Sequence, residues 1–169
     1  MWKSSLRLLL APIGLLLALL AGCVTPGPSL VGDDRAAVQS KIGPPPEKYP
    51  LPGGGERWMY PWGGLQQRVD AVDFDPAGRV TQVRQVRTAE NFARVRIGVD
   101  TQADIRREFG PPRIVEPYPR VGLVGWMFPY LENDVWNSEM VIYLDAQGIV
   151  RKVENGPDRR FLGGGDDRR

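Results

Sequence analysis

Apolar and polar positions along this chain follow one helical pattern twice. Leu30–Pro45 and Ile97–Pro112, 67 positions further on, each begin with Asp or Thr residues that can cap a helix, and each ends at Gly-Pro-Pro. Within each segment two apolar residues stand four apart and share one helical face; they are Val38/Ile42 and Ile105/Phe109. Because Gly accepts a left-handed end conformation and Pro cannot continue a helix, each segment predicts a short helix with a defined end.

Each predicted helix is followed by alternating segments typical of strands. They are Glu56–Tyr60, Leu65–Phe74 and Arg79–Arg87 in the first copy, and Gly125–Phe128, Glu139–Leu144 and Ile149–Val153 in the second. Asp-x-x-Gly turns join the last two strands of each copy. The pattern predicts an α+β fold of two tandem αβββ units, each a short helix packed on an antiparallel three-strand meander. Whether the two units share one sheet stays open.

The repeat also predicts how the chain is divided. We expect the first αβββ repeat at 30–87, a linker helix that packs Phe92 at 88–96, and the second repeat at 97–156. Residues 157–169 are rich in Gly, Asp and Arg, and we expect a disordered tail there. In the second repeat, strand alternation places Met140, Ile142 and Leu144 on one face, which we expect to pack on the helix.

Composition excludes several classes of function. The chain has 22 Lys and Arg against 20 Asp and Glu, and Lys3 and Arg7 account for the excess. The remaining chain is balanced, which argues against nucleic acid as a partner. The sequence has no His and a single Cys, so a nucleophile–His pair is impossible and soft-metal ligands are lacking. We therefore expect no enzymatic activity, no cofactor and no metal.

The N-terminus predicts secretion and a lipid anchor. A basic start at Met1–Arg7 precedes Leu8–Leu20, an apolar run too short for a comfortable membrane span. The run ends in Leu-Ala-Gly22-Cys23, which resembles the bacterial lipobox. That resemblance implies that residues 1–22 are a lipoprotein signal peptide cut between Gly22 and Cys23, and that Cys23 is acylated and holds the protein in lipid. An ordinary signal peptide with a chance Cys is the disfavoured alternative.

Two further expectations follow from the residues after the cysteine. Val24 at the next position resembles outer-membrane sorting in enteric bacteria, so we expect the protein on the periplasmic side of the outer membrane of a Gram-negative bacterium. Residues 23–29 contain two Pro and one Gly and are expected to form an extended tether.

Aromatic residues are the candidates for binding a partner. Trp58 and Trp126 occupy equivalent places in the repeat, which favours core positions over binding hot spots. Trp62 and Trp136 have no equivalents and suit an interface or local packing equally. An aromatic-rich zone covers residues 118–136. The candidate partner-binding residues are Trp62, Tyr118, Phe128, Tyr130 and Trp136.

Charged residues offer weaker candidates. Asp70, Asp73 and Asp75 do not converge in a strand-and-turn arrangement, so we expect solvated acids rather than a general acid–base pair. A loose basic region around the linker would suit anionic lipid, but its dispersal among acids favours a solvated face. Its members are Arg84, Arg87, Arg94, Arg96, Arg106 and Arg107.

The order of these motifs is similar to the SmpA/OmlA (BamE-like) lipoprotein domain. The second repeat carries its elements as Ile97-Gly98, Thr101, Ile105, Phe109-Gly110-Pro111, Trp126-Met-Phe128 and Asp145–Gly148. The first repeat carries Val38, Ile42-Gly43-Pro44, Trp58-Met-Tyr60 and Phe74–Val80. The resemblance implies a lipid-anchored accessory factor of outer-membrane β-barrel assembly, which acts by contacting β-barrel assembly subunits and lipid head groups.

The number of repeats departs from that family. The BamE-like assembly factor has one such unit, whereas this chain has two, as do the β-lactamase inhibitory proteins. The alternative implied by this second resemblance is a periplasmic enzyme inhibitor or ligand-sensing lipoprotein. Both alternatives describe a binding module.

Overall fold

The computed structural model of the protein describes residues 28–162, which form short helices and two separate antiparallel sheets. In chain order the elements are a 3₁₀ turn (Pro28–Leu30), α1 (Arg35–Ile42), β1 (Glu47–Pro50), β2 (Glu56–Trp62), β3 (Arg68–Phe74), β4 (Val80–Gln85), α2 (Ala89–Phe92), α3 (Gln102–Phe109), β5 (Ile114–Tyr118), β6 (Leu123–Glu132), β7 (Trp136–Leu144), β8 (Val150–Pro157) and a 3₁₀ turn (Arg159–Phe161). None of the helices within this range is long and apolar enough to span a bilayer.

The structure tests the sequence predictions for the C-terminal end of the chain but not those for its N-terminal end. The signal peptide, the cleavage position and Cys23 lie outside the described residues, as does most of the tether. The predicted disorder from residue 157 is wrong for residues 157–162. Pro157 ends β8, and the 3₁₀ turn that follows is capped by Asp158, whose fully buried carboxylate accepts hydrogen bonds from the backbone N–H and the guanidinium of Arg160.

Helices α1 and α3 begin and end at the capping residues that the sequence predicts. Asp34 caps α1 by accepting a hydrogen bond from the backbone N–H of Ala37 at 2.9 Å. Thr101 and Asp104 form a capping box at the start of α3. Gly43 and Gly110 follow the helices with φ of 85° and 75°, a region that favours glycine. The sequence therefore encodes both helices locally.

The sheets confirm the α+β class but not the count of three strands per unit. Each sheet has four antiparallel strands in sequential order, β1-β2-β3-β4 and β5-β6-β7-β8. The strands that the sequence pattern missed are β1 and β5, which are short and contain Pro50 and Pro117. Both lie at a sheet edge, where Pro is tolerated because one side of the strand needs no ladder hydrogen bonds.

The two halves have matching strand registers. In the first sheet Trp58 lies opposite Val72, which lies opposite Val83; in the second, Trp126, Ile142 and Val153 are paired in the same way. Each sheet also has a register irregularity at the end of its third strand. These matches give every position of one sheet a counterpart in the other.

The face of each sheet that carries the tryptophan, here called the front face, packs on helices. Trp58 and Trp126 are buried there, as expected for core residues of a repeat. The first core contains Leu30, Val38, Trp58, Tyr60, Val72, Phe74 and Val80. The second contains Phe92, Ile105, Phe109, Trp126, Phe128, Tyr130, Met140, Ile142, Leu144 and Val150. The linker helix is the four-residue α2, and its Phe92 is buried as predicted.

The opposite, back face of the first sheet packs on α3 of the second half. Arg57 on β2 donates to the carboxylate of Glu108 at 2.8 Å and to the backbone carbonyl of Arg107 at 3.2 Å. Arg84 on β4 donates to the other oxygen of Glu108 at 2.8 Å. Helix α3 therefore lies between the two sheets, and the layers run α1, first sheet, α3, second sheet.

Two charged residues predicted to be solvated are buried at this junction. Asp73 accepts two hydrogen bonds from Arg57, at 2.6 and 2.8 Å. Arg87 donates to the backbone carbonyls of Phe109, Gln66 and Pro111 at 2.7–3.1 Å. Burial lowers the pKa of Arg87 to about 10, which still leaves it charged at neutral pH. Both predictions were wrong because the docking of the second half, rather than the strand pattern, covers these side chains.

Candidate protein-binding surface

Two of the five predicted partner-binding residues are core residues. Phe128 and Tyr130 are fully buried on the front face of β6. The ring of Phe92 approaches both, with centroids 6.2 Å from Phe128 and 5.2 Å from Tyr130. They were mistaken for surface residues because an aromatic-rich strand has the same composition whether a helix covers it or not.

Tyr118 is half-buried on the back face of the second sheet, away from the other candidates. Its ring meets Tyr143 edge-to-face, with centroids 5.3 Å apart. A side chain at Gly125 would lie 2.8 Å from the Tyr118 ring, so the glycine makes room for it. Tyr118 therefore belongs to a different surface from Trp136.

Trp62 lies at the edge of the first core, next to a buried acid. Its ring stacks on Tyr60, and its buried indole Nε1 lies beside the carboxylate of Asp70. Asp70, predicted to be solvated, is almost fully buried, and its Oδ2 accepts hydrogen bonds from Arg68 at 3.2 and 3.3 Å. Burial raises the pKa of Asp70 by more than the neighbouring Arg68 and the indole of Trp62 lower it. Trp62 is a packing residue here, and Asp70 carries a cost of burial.

The raised pKa makes Asp70 a site of predicted pH dependence. Above its ordinary pKa of 3.8 the buried carboxylate loses protons less readily in the folded than in the unfolded chain, so its ionisation costs stability. Asp70→Asn should raise the melting temperature at neutral pH, and the gain should shrink to nothing near about pH 3, where Asp70 is neutral in both states. Thermal unfolding followed by circular dichroism across this range measures it. Asp134→Asn, in an exposed turn, is the control, and a lower melting temperature for Asp70→Asn at neutral pH would contradict the prediction.

Of the five predicted partner-binding residues, Trp136 is the one whose side chain is largely exposed. Its side chain is 67% exposed at the start of β7. Other exposed apolar side chains lie on the loops around it, and together they define the loop-end surface. Its members are Leu65, Val135, Trp136, Phe161 and Leu162.

Three loops from distant parts of the sequence form the loop-end surface: the β2–β3 turn, the β6–β7 turn and the C-terminal 3₁₀ turn. Gln67 donates its amide N–H to Asn137 Oδ1 at 2.7 Å and so joins the first two. The backbone N–H of Asp158 donates to the carbonyl of Asn137, and Arg160 donates to the carbonyl of Leu65, both at 3.0 Å. These bonds fix the loops to one another and not only to their own strands.

The backbone and the polar neighbours hold the β6–β7 turn in place. Asn133 and Asp134 have positive φ of 51° and 57°, which these residues tolerate, and the backbone N–H of Val135 donates to the carbonyl of Glu132 at 3.1 Å. Glu132 at the base of the turn accepts hydrogen bonds from Ser138 and Asn155. Trp136 is therefore exposed on a well-supported hairpin, and its position costs little further ordering when a partner binds.

The loop-end surface combines exposed apolar groups with charged neighbours. Arg160 lies over the ring of Phe161, 5.7 Å from its centroid, and pairs with the buried Asp158. Exposed aromatic and aliphatic groups with a polar surround are the anatomy of a protein-binding site. Within residues 28–162, three or more potential metal ligands do not come together anywhere.

Of the residues in this surface, the sequence predicts only Trp136 as a partner-binding residue. Leu65 was assigned to a strand, and Phe161 and Leu162 to a disordered tail. Their signal was the presence of large apolar residues in stretches otherwise rich in Gly and charge. That signal shows exposure but not which loops meet, because the loops are joined by hydrogen bonds between positions about 20 to 95 apart in sequence.

No protein-family model matches this sequence, and no curated protein matches it. Among solved structures, the crystal structure of a DUF4309 family protein (YjgB) from Bacillus subtilis is similar over 82% of this chain and 90% of that chain. The identity is 15% and the TM-score is 0.31. A likeness of this degree assigns neither a family nor a function.

Proposed function

We propose that this protein is a lipid-anchored binding module of the outer membrane that supports the assembly of β-barrel outer-membrane proteins or the integrity of the envelope. It faces the periplasm, is held in lipid through acylated Cys23, and acts by protein–protein and lipid contacts rather than by catalysis. The anchor and its location rest on the lipobox-like end of the apolar run, and the role in assembly rests on the SmpA/OmlA (BamE-like) resemblance.

The observation that supports the binding role is the exposure of Trp136 on a surface built from three interlocked loops. A tryptophan side chain that is two-thirds exposed leaves a large apolar area in water, and burying it against a partner releases that cost. Leu65, Val135 and Phe161 extend the apolar area around it. Because the loops are already fixed, the partner meets a preorganised site.

The binding role is tested by affinity capture from outer membranes with Trp136→Ser. We expect the parent protein to recover β-barrel assembly subunits, and the variant to recover them at least about tenfold less, the loss typical of a buried aromatic hot spot. Val121→Ser is the matched control, because Val121 is equally exposed (66%) but lies in the β5–β6 turn at the other end of β6. Equal recovery by all three proteins would refute the proposed surface.

The anchor is tested separately by cell fractionation of Cys23→Ala. Without the thiol there is no acceptor for the lipid, and we expect the protein to move from the membrane pellet to the soluble fraction. Retention of the variant at the parent's level in the membrane, with the parent resistant to high salt, would refute lipidation at Cys23.

A second candidate is an inhibitor or ligand-sensing lipoprotein that acts on a periplasmic enzyme. It is supported by the stacking of two helix–sheet halves, which is the plan that the β-lactamase inhibitory protein resemblance implies. The same capture experiment separates the two candidates. Recovery of one soluble enzyme, without barrel-assembly subunits, would replace the first proposal by the second.

A further inference from the structure

The back face of the second sheet lacks the cover that its counterpart has. In the first sheet, α3 lies over this face and Glu108 bonds to Arg57 and Arg84. In the second sheet the C-terminal 3₁₀ turn reaches this face through Arg159, which bonds to Glu139 and Glu116, and no α-helix follows β8 within residues 28–162. The matched registers make Val141 the counterpart of Ala71, and Glu154 the counterpart of Arg84.

A hollow of about 410 Å³ lies on this face, beside Arg159. It is lined by Glu139, Val141, Glu154, Asn155, Gly156, Pro157, Arg159 and Leu162. The C-terminal 3₁₀ turn borders the hollow. This turn follows the second sheet as α2 follows the first, and Asp158 caps it as Thr88 caps α2. The hollow thus corresponds to the space next to the first sheet that the C-terminal half of α3 fills.

Helix α1 is the repeat counterpart of α3, and its outer side, which faces away from the first sheet, is exposed. Helix α1 buries Val38 on the first sheet, while Gln39, Ser40 and Lys41 are exposed. By the repeat spacing, Lys41 stands where Glu108 stands in α3. Both charges are therefore reversed, with Lys41 in place of Glu108 and Glu154 in place of Arg84. Glu108 pairs with Arg84 within one chain, and Lys41 would pair with Glu154 between two chains.

We propose that the back face of the second sheet binds the outer side of α1 from a second copy of this protein. The contact repeats between copies the contact that α3 makes with the first sheet within one chain, with its ion pair reversed. It joins unlike surfaces, so each copy keeps one free α1 and one free back face, and the assembly grows as a head-to-tail array.

The other residues on the back face of the second sheet are also compatible with binding α1. Gly125 and Tyr143 replace the buried pair Arg57 and Asp73. The charged groups that do lie on this face are already paired, because Arg159 bonds to both Glu139 and Glu116. Lys41 now bonds to Asp33, and Glu154 pairs with Lys152. Both pairs are exposed, and pairs of this kind contribute little to stability, so exchanging partners has a low cost.

Sedimentation velocity of the full-length protein, purified from membranes in detergent, tests the proposal. We expect a concentration-dependent series of monomer, dimer and longer species. Lys41→Glu and Glu154→Lys should each raise the dissociation constant at least about tenfold, because like charges then meet. Lys48→Glu and Glu90→Lys reverse exposed charges elsewhere and should leave it unchanged.

Combining the two reversals gives the sharper result. The double variant Lys41→Glu/Glu154→Lys should regain the parent's dissociation constant within about threefold, and the two single variants should associate when mixed, since opposite charges meet again. A protein that is monomeric at all concentrations overturns the proposal, as does self-association that the single reversals do not weaken. Neither result bears on membrane retention of Cys23→Ala, so the proposed anchor and the proposed array fail independently.

Zero-length carbodiimide coupling in intact membranes provides a second measurement. It joins an amine directly to a carboxylate, so a cross-linked peptide pair containing Lys41 and Glu154 reports the ion pair itself. Within one chain, the first sheet, α3 and the second sheet separate these residues, and the pair must come from two copies. We expect this cross-link in the parent and its loss in either single variant; its absence from a cross-linked parent dimer would contradict the proposed geometry.

Discussion

Arg57→Ala should lower the free energy of unfolding by about 3–5 kcal/mol, the cost of removing one partner of a buried ion pair. The side chains of Arg57 and Asp73 are 7% and 9% exposed, and the guanidinium bonds to both oxygens of the carboxylate. Burial lowers the pKa of Arg57, but the carboxylates of Asp73 and Glu108 outweigh it and raise the pKa overall. The variant leaves the charge of Asp73 buried between the two halves.

Equilibrium unfolding in urea measures this loss, and two variants define its origin. Arg35→Ala is the matched control: its ion pair with Glu56 is partly exposed, at 41% and 30% of the two side chains, so we expect a loss below about 1 kcal/mol. Replacing Arg57 by Met and Asp73 by Leu together should recover most of the stability, because neither member of the pair is then left as an unpaired buried charge. If Arg57→Ala costs no more than Arg35→Ala, the junction between the halves does not depend on this pair.

Phe92→Ala should have an effect of similar size, about 3–5 kcal/mol, for a different reason. Phe92 is the residue through which the short α2 enters the second core. Its ring stacks on Phe109 at 4.4 Å between centroids and meets Tyr130 edge-to-face at 5.2 Å. Truncation to Ala leaves a cavity that these rigid neighbours, held by strand and helix, cannot fill.

Two variants separate cavity formation from the general loss of an aromatic ring. Phe92→Leu retains most of the volume and should cost less than about 1.5 kcal/mol. Phe161→Ala removes a ring that is 48% exposed and should change the free energy of unfolding by no more than about 0.5 kcal/mol. Urea unfolding of the three variants tests the order; a cost of Phe92→Ala equal to that of Phe161→Ala would mean that α2 is not part of the cooperative core.

Arg57 holds the two halves together, and so does Arg87. Its guanidinium joins the β2–β3 turn, through the carbonyl of Gln66, to the end of α3, through the carbonyls of Phe109 and Pro111. A buried arginine that bonds to three carbonyls from two halves fixes their relative position. The same junction is the pattern on which the proposed contact between copies is based.

What the sequence by itself determined is local or periodic. The caps Asp34 and Thr101 and the glycines after the helices encode α1 and α3 through hydrogen bonds and dihedral preferences within a few residues. Alternation encodes the front face of each sheet, because the side chains that pack on a helix must recur every second position. The repetition of these signals was enough to predict two α+β units and the core positions of Trp58 and Trp126.

Only the tertiary structure decided which side chains are covered by elements distant in sequence. Asp73 and Arg87 are polar in the sequence and buried in the fold, because α3 of the second half docks on the back of the first sheet. Phe128 and Tyr130 are buried because α2 brings Phe92 onto them, while Trp136, in the same aromatic stretch, is left outside. Strand periodicity distinguishes the two faces of a sheet, but burial of the second face depends on contacts with elements distant in sequence, which no local pattern records.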